Sequence, residues 1–192
     1  MELVLASAST HRRRLLSAAG IDARLIAPDF DERALDDDFD PAGPAEFALR
    51  LAEGKARAVR GSLAPGEVVL AGDQLAVLEG RMLTKPADLP TAVAQLMSMS
   101  GRSHDLVNGL VLWRPDDDRW VRAVDVHRVT MRCYDRAEAA AYVERFRPLD
   151  SVGAYRIEDD ADLIESVVGS GDDGVQGLPI AVVREMLAEL AS

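Results

Sequence analysis

The stretch that most constrains the fold is residues 68–74, which reads Val-Val-Leu-Ala-Gly-Asp-Gln. A short unbroken apolar run that ends in glycine and a carboxylate is typical of a strand buried on both faces of an α/β sheet. We therefore predict a central strand, with Asp73 just past its carboxyl end, where open α/β sheets bind their ligands. Gly72 would let the backbone approach such a ligand closely. The alternative is an aspartate that only starts a turn.

Composition narrows the class of protein. The chain has 192 residues, 48% of them hydrophobic and 29% charged, which predicts one globular domain over residues 1–192. No apolar run approaches the ~18 residues of a membrane span, and no basic segment precedes the first one, so we expect no membrane partner and a cytoplasmic location. A net charge of -11 argues against a nucleic-acid polymer as partner. The single cysteine excludes an internal disulfide.

A basic helix start follows the first apolar segment. Residues 3–6 predict a strand, Ser7 and Ser9 lie in a hydroxyl-rich loop, and a helix is predicted from about residue 10 to residue 19. Its first turn carries arginines at positions 12–14, although each exposed cation there opposes the helix dipole by roughly 0.3–1 kcal/mol. A bound polyanion would make the arginines favourable at this position, because it attracts both the cations and the helix N-terminus. The pattern therefore favours a phosphate site without the glycines of a Walker loop. The alternative is a solvated basic face.

The two lysines of the chain stand out because arginine supplies all its other basic residues. Lys85 precedes a proline, whereas Lys55 falls in the middle of the apolar stripe of a helix predicted over residues 45–60. A lysine there must extend to solvent, pair with a buried acid, or reach into a cleft. We favour the cleft, because a compact ammonium suits a site that needs a point charge.

Acidic residues after the second predicted strand, residues 21–27, supply metal-ligand candidates. Asp31 and Glu32 lie where that strand should end, whereas the acidic run at residues 36–40 is more typical of a solvated loop. Carboxylate oxygens are suitable ligands for hard divalent cations. The three histidines have no zinc-like spacing.

Turn and capping signals predict the remaining elements. Residues 75–78 and 81–83 flank Glu79-Gly80, a hairpin turn, and a helix is predicted over residues 90–99. A long hairpin is predicted with strands at 104–113 and 120–134. Further predictions are a helix over 136–146, opened by the capping box of Asp135 and Glu138, and a last helix from Pro179 to about Leu190.

These segments together match the motifs of a known family along nearly the whole chain. In chain order they are Leu5-Ala6-Ser7-Ala8-Ser9 with Arg12-Arg13 and Leu15-Leu16, Asp31-Glu32, Leu49-Arg50-Leu51-Ala52 with Lys55, Ala71-Gly72-Asp73-Gln74, Lys85-Pro86, Ser100-Gly101-Arg102 with His104, Gly153-Ala154-Tyr155, and Val175 with Gly177-Leu178-Pro179. The chain thereby resembles the Maf family of nucleoside triphosphate pyrophosphatases.

The resemblance implies an α/β fold with a mixed twisted sheet, flanking helices and two lobes around a central cleft, usually as a homodimer. It implies hydrolysis of a nucleoside triphosphate to monophosphate and pyrophosphate with a divalent cation such as Mg²⁺, Mn²⁺ or Co²⁺. Asp73 would be the proton acceptor. The implied metal ligands are Glu32 and Asp73, with Asp31 as a further candidate. The implied phosphate-binding residues are Ser7, Ser9, Arg12, Arg13, Lys55 and Lys85.

Substrate preference rests on His11, Gln74 and Glu158. A pyrimidine-preferring branch of the family has Thr and Gln at the last two positions, whereas a branch linked to 7-methyl-GTP has Gln and Glu, as here. A carboxylate can accept from both N–H donors of a guanine edge, which agrees with the second branch. His11 stands where that branch can have Trp, and Asn108 where Thr is common. The alternatives are therefore another guanine or modified nucleotide, dTTP or UTP, or a nucleotide-binding regulator of septum formation with little turnover.

Overall fold

The structure, a computed structural model, describes residues 2–40, 43–159 and 162–192. In this part the chain forms seven strands and six α-helices, which confirms the predicted mixed α/β class. The strands are β1 (Glu2–Ala6), β2 (Arg24–Ile26), β3 (Glu67–Leu78), β4 (Arg81–Leu83), β5 (Ser103–Arg114), β6 (Arg119–Met131) and β7 (Ile164–Val168). The helices are α1 (Thr10–Ala18), α2 (Pro44–Ala58), α3 (Leu89–Met99), α4 (Arg136–Phe146), α5 (Asp172–Val175) and α6 (Ile180–Ala191).

The strands form one mixed sheet in the order β2-β1-β3-β5-β6-β7, with β4 paired to β3. β1 runs parallel to both β2 and β3, with Leu5 opposite Leu70. The pairs β3–β4 and β6–β7 are antiparallel. β3 is therefore the central strand that its apolar sequence predicted.

The chain divides into two compact units. The first contains residues 1–74, 108–125 and 170–192, and the second contains residues 75–107 and 126–169. β3, β5 and β6 contribute residues to both units. The prediction of one domain over residues 1–192, with a cleft between two lobes, stays a prediction.

In the first unit, hydrophobic clusters form on both faces of the sheet. One contains Val68 and Leu70 of β3 and is covered by Leu16 of α1 and by α6. The other contains Val69 and Ala71 of β3 and is covered by α2. Because side chains alternate along a strand, even-numbered residues of β3 face α1 and α6, and odd-numbered residues face α2.

In the second unit, α3 packs against α4. The Tyr134 hydroxyl donates to the Leu96 carbonyl at 2.7 Å. His104 lies buried with its Nε2 2.8 Å from the Tyr155 hydroxyl, and burial lowers the pKa of His104 to about 4. In the described part of the chain, none of the helices combines the length and the apolar character that crossing a membrane requires.

Several local predictions are confirmed. α4 has the predicted bounds and the capping box of Asp135 and Glu138, and Glu79-Gly80 forms the β3–β4 turn with positive φ at both residues. Other predictions need correction. Residues 75–78 belong to β3 and are not a separate strand, β2 covers only three residues, and β7 and α5 were not predicted from the sequence.

Candidate active site

An ion-pair group in the first unit consists of Lys55 of α2, Asp73 of β3 and Glu32. Lys55 is 6% exposed, and its Nζ lies 2.5 Å from Asp73 Oδ1 and 2.9 Å from Glu32 Oε1. Glu32 opens a 3-10 helix (Glu32–Asp38), and its side chain is 42% exposed. A lysine on the apolar face of α2 could extend to solvent, pair with an acid or reach into a cleft, and the structure shows pairing with two acids.

Asp73 lies within β3 and not past its end, so the predicted position is wrong. The error has a physical reason. β1 ends at Ala6 and its last partner in β3 is Leu70, whereas β3 continues to Leu78 through antiparallel pairing with β4. Asp73 therefore lies beyond the end of the parallel neighbour, but in the interior of its own strand.

The second carboxylate oxygen of Asp73 is available for chemistry. Oδ1 accepts from Lys55, whereas Oδ2 has no hydrogen-bond partner among the described residues and is not one of the fully buried polar atoms. Water can therefore reach Oδ2, although the residue as a whole is only 7% exposed. A carboxylate that is held on one oxygen and open on the other is suited to accept a proton from a water molecule.

Packing against Leu110 is sufficient to require glycine at position 72. A Cβ at this position would lie 2.8 Å from Leu110 Cδ2, a distance at which the neighbouring side chain must move. The Gly72 carbonyl meanwhile accepts from Arg12. The prediction that this glycine allows close approach of a ligand is therefore not needed to account for it.

Arg12 is a buried cation that bonds to main chain. Its Nη1 donates to the Gly72 carbonyl at 2.7 Å and its Nε to the Gly177 carbonyl at 2.9 Å. Burial lowers the pKa of this guanidinium, and the charges of Asp73 and Glu32 oppose that change. Three of its five N–H groups have no partner among the described residues, so Arg12 could still bind an anion.

The loop before α1 is built by its serines. The Ser7 Oγ accepts from the Ser9 amide at 3.1 Å, and the Ser9 Oγ caps the helix by accepting from the Arg12 amide at 3.3 Å. The Arg13 side chain is exposed and makes no ion pair or hydrogen bond with any other described residue, whereas His11 is half-buried. Four of the residues predicted to bind phosphate, Ser7, Ser9, Arg12 and Arg13, therefore lie at a capped helix N-terminus, with Arg12 buried and Arg13 exposed.

Gln74 faces the opposite side of the sheet from Asp73. Its Nε2 lies 3.1 Å from Asn108 Oδ1, 3.1 Å from the Gly174 carbonyl and 3.0 Å from the Val175 carbonyl. Since carbonyl oxygens only accept, these contacts fix the orientation of the amide. The residue proposed to read the base is thus bonded to the glycine-rich segment of its own unit, and only its Oε1 is left to face a ligand.

Asn108 and Asp125 complete this network, and the sequence did not single them out for it. Asn108 is fully buried and donates to the Gly174 carbonyl at 2.8 Å and to Asp125 Oδ2 at 3.2 Å. Ser170 donates to Asp125 Oδ1 at 2.8 Å. In the sequence, the only sign of this network was Asn108 at a position where the family commonly has Thr.

Two predicted site residues belong to the second unit. Lys85 is exposed in the loop between β4 and α3, and its ammonium makes no ion pair with the residues described. Glu158 is exposed in a turn after Tyr155. Asp31 is exposed in the first unit. The structure therefore brings together Arg12, Glu32, Lys55 and Asp73 of the predicted set.

The donor set of the ion-pair group fits a hard divalent cation that is shared with a ligand. No cluster of three or more His, Cys, Asp or Glu side chains in the described ranges could hold a metal ion by itself. Two carboxylates, Asp73 and Glu32, do converge on one point. Mg²⁺ is typically bound by one or two carboxylates, with substrate phosphates and water completing the shell.

The fold and this group together define an α/β protein in which two buried cations lie beside two carboxylates, an arrangement that suits an anionic ligand. The model of the family described as "Maf-like protein" matches residues 2–190, so the chain belongs to that family.

Similar proteins carry names of one kind. The chain is 38% identical over 189 residues to a dTTP/UTP pyrophosphatase of Sphingopyxis alaskensis, covering 98% of this chain and 96% of that protein. It is 34% identical over 188 residues to a 7-methyl-GTP pyrophosphatase of Bdellovibrio bacteriovorus, covering 97% and 95%. It is also 34% identical over 192 residues to a nucleoside triphosphate pyrophosphatase of Gluconobacter oxydans, covering 98% and 94%.

Proposed function

We propose that this protein hydrolyses a nucleoside triphosphate to the nucleoside monophosphate and pyrophosphate. The observation that carries the proposal is the Lys55 ammonium held between Asp73 and Glu32. A site for phosphoryl transfer needs a base for water and cations for phosphates, and little covalent chemistry. The names of the related pyrophosphatases support the same reaction.

Each residue of the group has a role in this proposal. Asp73 accepts a proton from the attacking water at Oδ2, the oxygen to which Lys55 does not donate. Lys55 and Arg12 neutralise phosphate charge from inside the protein, and the exposed Arg13 binds from the solvent side. Lys85, Ser7 and Ser9 are proposed as further phosphate contacts. Positioning and charge neutralisation then supply most of the rate gain.

A divalent cation is part of the proposal. Glu32 and Asp73 would hold Mg²⁺, Mn²⁺ or Co²⁺ through carboxylate oxygens, and the ion would neutralise phosphate charge when bound. A homodimer and a cytoplasmic location, both expected from the sequence, also remain proposals.

For the base, we propose 7-methyl-GTP or another guanine nucleotide, with Glu158 accepting from the guanine edge and His11 and Gln74 contributing. The relatives include both a 7-methyl-GTP and a dTTP/UTP enzyme, so a pyrimidine preference is the second candidate. The bonds from the Gln74 amide to Gly174 and Val175 leave it only an acceptor, which favours a base edge that donates.

Product analysis tests the proposal. The purified protein is incubated with ordinary and modified triphosphates, each with Mg²⁺, Mn²⁺ or Co²⁺, and products are separated by ion-exchange chromatography. We expect equal amounts of monophosphate and pyrophosphate, only with metal present. Release of inorganic phosphate with a diphosphate would show a different cleavage position. Tight binding without turnover would instead support a regulator.

A further inference from the structure

The ion-pair group and the nearby Arg12 together carry no net charge. Lys55 contacts the carboxylates of both Asp73 and Glu32, and the Arg12 guanidinium lies close enough for both carboxylates to influence its pKa. Two cations thus face two carboxylates. The ammonium also uses Asp73 Oδ1 and Glu32 Oε1, two oxygens that a metal ion would take as ligands.

We propose that Lys55 and the divalent cation compete for these two carboxylates, so that the metal enters together with the triphosphate and not before it. This inference rests on the proposed function, because it concerns how the ligands of that reaction bind.

Electrostatics oppose binding of the metal ion alone. A divalent cation that enters alone competes with the ammonium for both carboxylates and would leave these carboxylates, Lys55 and Arg12 with an excess of two positive charges. The stem of Lys55 lies on the buried face of α2 with Leu51 and Ala52, so its ammonium cannot move out to bulk water at low cost. A triphosphate supplies about four negative charges, which hold both the displaced ammonium and the metal ion.

Metal and triphosphate therefore bind with positive coupling. By linkage, the factor by which one ligand tightens the other is the same in both directions, and such factors are typically about 5- to 150-fold. If the ion pair had only a structural role, neutralising Lys55 would lower the stability of the protein without raising its affinity for the metal ion.

The test measures metal binding without nucleotide. Mn²⁺ is titrated into the wild-type protein and into Lys55→Gln, and free Mn²⁺ is followed by its electron paramagnetic resonance signal. We expect Lys55→Gln to bind Mn²⁺ about tenfold more tightly or better, because the group then carries one more net negative charge. The matched control is Arg50→Gln, since Arg50 lies on the same helix in an exposed ion pair with Asp38 at 2.9 Å, and it should bind like wild type.

A second arm adds a triphosphate analogue with a methylene group between the α- and β-phosphorus atoms. This analogue should tighten Mn²⁺ binding to the wild type by about tenfold or more, and by clearly less in Lys55→Gln. If Lys55→Gln unfolds, Lys55→Met takes its place, because the comparison needs only the loss of the charge.

Equal Mn²⁺ affinity of the wild type and the neutral Lys55 variants would overturn the inference. So would tight Mn²⁺ binding by the wild type that the analogue does not change. Failure of the proposed function is a separate outcome, since a protein that releases no pyrophosphate can still show the Lys55 effect on Mn²⁺ affinity.

Discussion

The network around Asn108 gives a prediction whose size follows from its bonds. Asn108→Ala removes a fully buried amide that bonds to Gln74 at 3.1 Å, to the Gly174 carbonyl at 2.8 Å and to Asp125 at 3.2 Å. The Gly174 carbonyl keeps its bonds from Gln74 and from the Gly177 amide. The loss is therefore concentrated on Gln74 and Asp125.

A hydrogen bond to a charged group contributes roughly 1.5–3 kcal/mol and a neutral one roughly 0.5–1.5 kcal/mol. We therefore expect Asn108→Ala to lower the free energy of unfolding by about 3 kcal/mol. For a chain of this size, that corresponds to a Tm lower by roughly 6–12 °C.

Urea unfolding and calorimetry measure this loss, and hydrogen exchange localises it. Amides of residues 171–178 should exchange faster in Asn108→Ala, because Asn108 and Gln74 hold this segment through its carbonyls. Arg14→Ala is the control, since it removes only an exposed bond to the side chain of Gln176 in the same segment and should cost under about 0.5 kcal/mol. A loss from Asn108→Ala as small as that of the control would show that the bonds of Asn108 do not stabilise the fold.

Three further predictions concern selectivity, phosphate binding and pH. Glu158→Gln should lower the ratio of kcat/KM for GTP to kcat/KM for UTP about tenfold or more, and adding Gln74→Thr should lower this ratio further. An unchanged ratio would contradict the role of Glu158 and favour a pyrimidine preference. Arg13→Ala and Lys85→Ala should raise KM or lower kcat similarly for every triphosphate in steady-state assays, whereas a defect confined to one base would place them in the base pocket. Burial lowers the pKa of His104 from 6.5 to about 4. Between these two pH values the imidazole is protonated in the unfolded chain but not in the folded protein, so the free energy of unfolding should fall by about 3 kcal/mol as the pH falls from 6.5 to about 4. In urea unfolding, His104→Gln should lack the contribution of His104 to the pH dependence of the free energy of unfolding. A pH dependence equal to that of wild type would contradict the role of His104.

The sequence predicted elements whose signals are local. The capping box of Asp135 and Glu138 marks the start of α4 within a few residues of chain, and helical periodicity alone placed Lys55 on a buried face of α2. Glu79-Gly80 marked its turn because few dipeptides adopt positive φ at both positions. β7 was missed because its exposed side chains do not alternate clearly between apolar and polar residues.

The sequence could not predict which distant groups meet. Arg12 bonds to the carbonyls of Gly72 and Gly177, which are respectively 60 and 165 residues away along the chain, and neither contact was expected from the sequence. Its expected role in phosphate binding stays a prediction. Gln74 is adjacent to Asp73 in sequence, yet the two side chains lie on opposite faces of the sheet because side chains alternate along a strand. A sequence motif that contains both residues does not show this difference. Backbone carbonyls carry no residue-type signal, so such bonds are visible only in the fold.

In the proposed function, Asp73 is the base of a metal-dependent pyrophosphatase. The most direct test compares Asp73→Asn with wild type in pyrophosphate release and in binding of a non-hydrolysable triphosphate, at one metal concentration. The amide keeps the shape of the carboxylate but cannot take a proton from water, so we predict loss of turnover with binding within a few-fold of wild type. Turnover by Asp73→Asn above about a tenth of the wild-type rate would contradict the claim and place the base elsewhere.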